Sequence, residues 1–341
     1  MKNPFGHIKF GVFPVFGESF IGRKHQLDKL INMVISSKCH HISIYGLPHI
    51  GKSSFLSKIN EELSQKEGYL CTSVITLVEG DFCNNIIRIL DELTAIDTSL
   101  EYLCDEIRDD SGPKELIDIM YQALNKLSQT HLRTVLFLDE FERILGSNDE
   151  QLAGNVNIQG WTQEEYELFL NLLLDQNLNF VCITGSRPPM SNILYRYRPV
   201  INPFVSMVLT GFNDMEMDEY FDVLKQGDIR LEGELIGLEK DKIQQQELLR
   251  LCGHNPYLLT VMGNELFENN SRIDGSVKKT VKGLFDGCRD TFQRYFNDII
   301  NFMVSEEHKK MRSFSHIVKC YFGQFDDYQD IKERCIAKVY L

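Results

Sequence analysis

The feature that most restricts this chain is Gly46-Leu47-Pro48-His49-Ile50-Gly51-Lys52-Ser53, which matches the spacing G-x-x-x-x-G-K-[ST]. A β-rich run, HISIY over 41–45, precedes it, and a helical pattern over 52–66 follows. The chemistry of such a segment dictates its surroundings. Successive backbone N–H groups must curl around an anion, and glycine supplies the positive φ values and the close approach that this needs. The helix that follows turns its positive N-terminal end on the same anion. Lys52 is then placed to reach the β- and γ-phosphates, and the Ser53 hydroxyl to take a Mg²⁺ position. The segment reads as a nucleotide site with Gly46, Pro48, Ile50, Gly51, Lys52, Ser53 and Ser54 as its binding residues.

Through the first two-thirds, short β-rich runs alternate with helical patterns, which implies crossover units and a parallel sheet. Strands are expected at 41–45, 69–77, 134–139, 179–185 and 204–210. Helices are expected at 24–36, 52–66, 84–94, 114–129 and 162–176. The last carries an amphipathic face of Leu168, Leu172 and Gln176 with Phe169 and Leu173. The Gly- and Asn-rich stretch 146–160 reads as a polar surface loop. Beyond Gly211-Phe212 the strand signal stops, and helical patterns run over 214–225, 242–252, 256–268 and 278–300. The expected fold is therefore α/β: a phosphate-loop parallel sheet domain over 1–211, flanked by helices, then a smaller all-α lid over 212–300. Residues 301–341 are left as a C-terminal segment, the start of a winged helix or a docking region.

Val135-Leu136-Phe137-Leu138-Asp139-Glu140 is an apolar run closing on two carboxylates, 86 residues beyond Ser53. A near-continuous apolar strand suits the middle of a parallel sheet, and its C-terminal end opens on the crevice where ligands bind. Asp139 is expected to hold Mg²⁺ through water, and Glu140 to orient or deprotonate the attacking water. Phe180–Gly185 is a second apolar strand, ending in Thr184-Gly185-Ser186-Arg187. Arg187, stiffened by Pro188-Pro189, is expected to contact the γ-phosphate. Arg143 is expected to pair with nearby acids and Trp161 to anchor packing. Phe292, Tyr295, Phe296, Ile299, Ile300 and Phe302 form an aromatic stripe at helical spacing and read as core, or otherwise as a docking surface for a missing domain.

Length and charge narrow the function classes. At roughly 150 residues per domain, 341 residues make about two domains. The net charge of −13 argues against a general nucleic-acid coater or a binder of anionic membranes, while a local basic patch stays allowed. No apolar run approaches the ~20 residues of a membrane helix, and the first residues lack an export leader. The nine dispersed cysteines, with no Cys-x-x-Cys, read as reduced thiols in the cytoplasm. Cys39-His40-His41 is the sole Cys/His cluster, and adjacent ligands on one short segment seldom converge on a metal.

Three further motifs join these: Phe20-Ile21-Gly22-Arg23 with Leu27 and Leu30, the Asp139-Glu140 pair with Arg187, and Leu251-Cys252-Gly253-His254-Asn255-Pro256-Tyr257-Leu258-Leu259. Together, over about residues 15–270, the chain resembles the STAND class of P-loop ATPases, a branch of the AAA+ superclass. The resemblance implies that Ile21, Gly22 and Arg23 lie beside the base and ribose, although Lys24 stands where that motif often carries Glu. It implies that Pro256 packs on adenine or sugar, with ATP, ADP and Mg²⁺ as cofactors. It further implies slow hydrolysis, an ADP-bound rest state and self-association with ATP. Arg196 and Arg198 follow the strand where AAA+ proteins place an arginine that acts on a neighbouring subunit; otherwise they belong to a solvated Arg/Tyr surface. His308 and His316 sit in no motif of the family and read as surface or core histidines.

The final forty residues have no room for sensor repeats, so the expectation is a fragment, or a compact ATPase whose sensor or effector lies on another chain. Two other readings stand beside this one. One is an initiator or origin-recognition type of AAA+ ATPase acting on DNA, disfavoured by the −13 charge and the absence of a lid arginine. The other is a nucleotide-holding scaffold without turnover, disfavoured by the intact Lys52, Asp139 and Glu140.

Overall fold

Strands with apolar side chains on both faces need cover on both faces, and 134–139 and 179–185 are of this kind. The computed structural model of the chain describes residues 20–36, 41–108, 110–147, 158–187, 203–226, 248–249, 252–270, 288 and 290–295. It places these two strands side by side within a five-stranded parallel sheet. The sheet strands are β1 (His41–Tyr45), β2 (Tyr69–Thr76), β3 (Arg133–Asp139), β6 (Phe180–Ser186) and β7 (Phe204–Val208), in the order β2-β3-β6-β1-β7. Helices α1 (Lys24–Ile35), α2 (Lys52–Ser64), α3 (Phe82–Ile96), α5 (Pro113–Ser128) and α6 (Gln163–Leu174) flank it, with the single turn α4 (Glu101–Cys104) after α3.

Alternation along the strands explains the two layers. Leu136 and Leu138 of β3, with Phe180 and Cys182 of β6, enter one core together with α3, α5 and α6. Their alternates Val135, Phe137, Val181 and Ile183 are equally buried on the other face, where α2 packs on β2, β3 and β6. Each such side chain contributes about 1.5–3 kcal/mol on burial, so the central strands cannot tolerate a one-residue slip. The α/β architecture read from the sequence is the architecture observed.

The details differ at several points. Helix α6 stops at Leu174 with Asp175 as its C-cap, so Gln176 lies outside it, exposed, and Tyr166 completes the buried face instead. A reciprocal cap starts this helix: the Thr162 hydroxyl accepts from the Glu165 N–H at 3.2 Å, and the Glu165 carboxylate accepts from the Thr162 N–H at 2.7 Å. The ends of the polar loop pair as two short antiparallel strands, β4 (Gly146–Ser147) and β5 (Ile158–Gln159); 148–157 lie outside the described residues. A 3-10 turn over Phe141–Leu145 follows β3 directly. Trp161 precedes α6 and is buried, edge-on to Phe82 at 4.8 Å and to Phe169 at 5.5 Å.

The chain forms two compact units. One comprises Arg23–Leu47 and Lys52–Leu209 and holds the sheet. The other takes Pro48–Gly51 with the described parts of 1–22 and of Thr210–Leu341. Its core is built by α7 (Asp214–Gln226), α8 (Pro256–Asn270) and residues 288 and 290–295, through Phe212, Tyr220, Leu258, Met262, Phe292 and Tyr295. Tyr220 donates its hydroxyl to Leu259 O at 2.7 Å, which satisfies a fully buried phenol. The expected helices over 242–252 and 278–300 are described only at 248–249, 252, 288 and 290–295, and Phe296, Ile299, Ile300, Phe302, His308 and His316 lie outside the described residues. Among the described residues six cysteines carry free thiols, and no helix is long and apolar enough to cross a membrane.

Candidate nucleotide-binding site

The sheet register determines which side chains share an edge. Tyr45 of β1 lies opposite Ser186 of β6, and Leu138 of β3 opposite Thr184 of β6, so the three strands end together. The phosphate-loop strand β1 is thus separated from the Asp139 strand β3 by β6 alone. Lys52, Ser53, Asp139, Glu140 and Arg187 all belong to this edge of the sheet unit.

After Tyr45 the chain turns through 46–51 before α2 begins at Lys52. His49 (φ 58°) and Gly51 (φ 95°) both adopt left-handed backbone. A Cβ at Gly51 would meet nothing within 4 Å, so the backbone conformation, not crowding, calls for glycine there. Gly46, Pro48 and Ile50 are buried, and Ser54 is half-buried on the first turn of α2. Lys52 donates its ammonium to the carbonyl oxygens of Gly46 (3.0 Å) and Leu47 (2.9 Å). Burial pushes the Lys52 pKa down, and the carboxylates of Glu142, Asp139 and Glu140 work against that shift.

Asp139 ends β3 as a buried carboxylate, and the Ser53 hydroxyl donates to it. The Glu140 N–H donates to its Oδ1 at 2.9 Å. Burial holds the Asp139 carboxyl above the usual carboxylate range, against the pull of these two hydrogen bonds and of Lys52. An oxygen pair of hydroxyl and carboxylate in contact is the donor set that Mg²⁺ accepts, so the residues present fit that ion.

Glu140 adopts left-handed backbone (φ 53°), and its partly exposed carboxylate is ion-paired with Arg143. Arg143 also donates to Leu77 O at 3.3 Å, which settles it as a partner of local groups. Arg187, just beyond β6, pairs through Nε with Glu142 Oε1 at 3.2 Å. Sequence reasoning passed over Glu142. Its signal is the third acid of Asp139-Glu140-Phe141-Glu142, two residues after Glu140, but only the 3-10 turn shows that it returns to the strand end. Arg196 and Arg198 lie outside the described residues.

Gly22 (φ 75°) and Arg23 (φ 64°) are consecutive left-handed residues that set the entry to α1, and Arg23 is buried. In the second unit, a Cβ on Gly22 would come within 3.1 Å of both Phe212 and Glu216, and Ile21 packs on the same core. Pro256 is the first residue of α8, where its fixed φ fits and no N–H is needed. Asn255 caps this helix, its side-chain oxygen accepting from the Leu258 N–H at 3.1 Å and its amide donating to Tyr295 Oη at 2.5 Å. His254 donates from Nδ1 to Phe212 O at 2.5 Å, and Gly211 admits the His254 carbonyl where a Cβ would stand 2.9 Å away. Within this unit His49 stacks on Tyr257, ring centroids 4.9 Å apart.

His41 has no capacity left for a metal. Its Nδ1 accepts from the Cys182 N–H at 2.8 Å, which leaves the proton on Nε2 for Leu173 O at 2.6 Å. Cys39 and His40 lie outside the described residues.

No family model matches the chain. An uncharacterized WD repeat-containing protein of Nostoc sp. is 23% identical over 287 residues, which is 81% of this chain and 20% of that protein. The chain thus spans about a fifth of that relative's length. The Walker-type ATPase PABY2304 of Pyrococcus abyssi superposes with a TM-score of 0.53 at 13% identity, over 91% of this chain and 81% of that one. A chain of the Drosophila ORC structure bound to DNA gives a TM-score of 0.46 at 14% identity, over 79% of this chain and 66% of that one. The fold is that of a P-loop ATPase.

Proposed function

We propose that the chain is a Mg²⁺-dependent ATPase of the STAND kind, a slow molecular switch whose exchange of ADP for ATP controls self-association or a protein partner in the cytoplasm. The observation that carries the ATPase reading is the Ser53–Asp139 hydrogen bond. It joins the end of the phosphate loop to the end of an apolar strand, with Lys52 on the loop carbonyls. In this reading the loop backbone from Gly46 to Gly51 and the start of α2 bind the phosphates, and Lys52 leaves its loop carbonyls for phosphate oxygens. Ser53 and Asp139 would hold Mg²⁺, which when bound neutralises charge on the β- and γ-phosphates. Glu140 orients the attacking water and Arg187 contacts the terminal phosphate, while Ile21, Gly22, Arg23 and Pro256 serve the base and sugar. Arg196 and Arg198 are the residues for action on a neighbouring subunit.

The switch reading draws on the resemblance of the motifs, and the WD repeats for which the Nostoc relative is named fit a switch working beside repeat modules. Calorimetric titration with Mg·ATP tests the site: K52A is expected to weaken binding roughly a hundredfold or more, by loss of charge-assisted hydrogen bonds. Light scattering of E140Q tests the switch, with larger assemblies expected in Mg·ATP than in Mg·ADP. A monomer with every nucleotide would remove the switch and leave the ATPase.

A further inference from the structure

Three acids crowd the end of β3, and the structure gives each a different partner. Asp139 accepts from the Ser53 hydroxyl, Glu140 pairs with Arg143, and Glu142 pairs with Arg187. The last pair is asymmetric. The Arg187 side chain is 46% exposed, whereas that of Glu142 is 17% exposed with Oε2 buried and without a hydrogen-bond partner. The carboxylate is therefore fixed and incompletely satisfied, while the guanidinium has room to move. Leaving such a carboxylate without a cation is costly, so Glu142 gives up the guanidinium only to a group of larger charge, with Lys52 and the Arg187 backbone N–H still acting on it.

The position of this pair gives the asymmetry a use. Arg187 follows the strand that separates the Asp139 strand from the phosphate-loop strand. Glu142 is also the first among the carboxylates whose charge acts on Lys52. One carboxylate thus serves both cations that the ATP reading assigns to the terminal phosphates. Guanidinium forks match carboxylate and phosphate alike, and the phosphate carries the larger charge.

Resting on the ATP reading above, we propose that Glu142 is an internal substitute for the terminal phosphate: it holds Arg187 until a nucleoside triphosphate, and not a diphosphate, takes the guanidinium from it. Glu142 is then a positioning residue that sets how strongly the site distinguishes triphosphate from diphosphate. By holding Arg187 it opposes the third phosphate and leaves the diphosphate, which makes no demand on that guanidinium, nearly untouched.

The test is calorimetric titration of wild type, E142Q, R187A and E142Q/R187A with Mg·AMPPNP and with Mg·ADP. E142Q keeps the shape and removes the charge, so it is expected to tighten AMPPNP about tenfold and to change ADP by less than about twofold. In the R187A background the same substitution is expected to leave the AMPPNP:ADP ratio unchanged. E142D withdraws the charge by one methylene and is expected to fall between wild type and E142Q, which keeps the question open to measurement should E142Q misfold. Weakened AMPPNP binding, or equal shifts for both nucleotides, in a protein whose wild type binds them would overturn the proposal and leave the ATP site standing. Absence of binding to either nucleotide by wild type would overturn both.

Discussion

Gly185 lies directly against the carboxylate of Asp139: a Cβ at 185 would stand 2.5 Å from Asp139 Oδ1 and 2.8 Å from Leu56 Cδ1. The glycine of β6 thus makes the space that the acid of β3 occupies, and a methyl group there must displace the acid or the leucine. G185A is expected to cost about 1–3 kcal/mol in urea unfolding, the usual penalty of overpacking. It should weaken Mg·ATP binding as well, because the nearer of the two crowded groups is the Asp139 carboxylate, which Ser53 touches. Unchanged unfolding and unchanged binding together would refute the close packing.

Charge burial at Asp139 predicts an exchange of function for stability. Its folded pKa is held above the unfolded one, so between the two values the folded chain carries more of the proton, and this group's contribution to stability falls as pH rises through the folded pKa. D139N removes that cost. The variant is expected to melt above wild type at neutral pH, by about 2–4 °C for each kcal/mol relieved, with the gap closing as pH is lowered through the raised Asp139 pKa. Scanning calorimetry of both proteins across that range decides it. A lower melting point for D139N at neutral pH would mean that the hydrogen bonds from Ser53 and Glu140 outweigh desolvation.

Asn255 performs two tasks in the second unit, capping α8 and receiving Tyr295 against its amide. Alanine removes both, and N255A is expected to lose about 1–3 kcal/mol in denaturant unfolding. Y295F, which removes only the hydroxyl, should lose less. Equal losses would assign the whole effect to the tyrosine contact.

Replacement of His41 tests a structural histidine. H41F fills the volume but strands the Cys182 N–H and the Leu173 carbonyl, each satisfied by one ring nitrogen. The expected loss is about 2–6 kcal/mol by urea unfolding, one penalty of about 1–3 kcal/mol for each buried group. A loss below about 1 kcal/mol would show that water or backbone movement replaces the ring.

Much of the fold is legible because its determinants are local. The loop needs glycine where φ is positive, and β3 and β6 announce two-sided burial by apolar runs, so strand order aside, the sheet follows from the residues. The failures share a cause of another kind. Periodicity alone extends α6 to Gln176, whereas the cap at Asp175 ends the helix first. Glu142 was missed because its neighbourhood depends on a 3-10 turn that returns it to the strand end, a relation that no spacing rule contains. His254 gave no sign of its tie to Phe212, which requires two segments far apart in sequence to meet at Gly211.

The order of the sheet also governs when this protein can begin to exist during its synthesis. The strand that leads into the phosphate loop has partners only in β6 and β7, both far downstream, while β2 and β3 can join each other earlier. Closing such long loops is slow, and the sheet cannot be completed until β7 has left the ribosome. A nascent chain halted before residue 180 therefore presents an unmatched β1 with an apolar edge. In such a chain the phosphate loop, translated early, is among the last segments to acquire its shape.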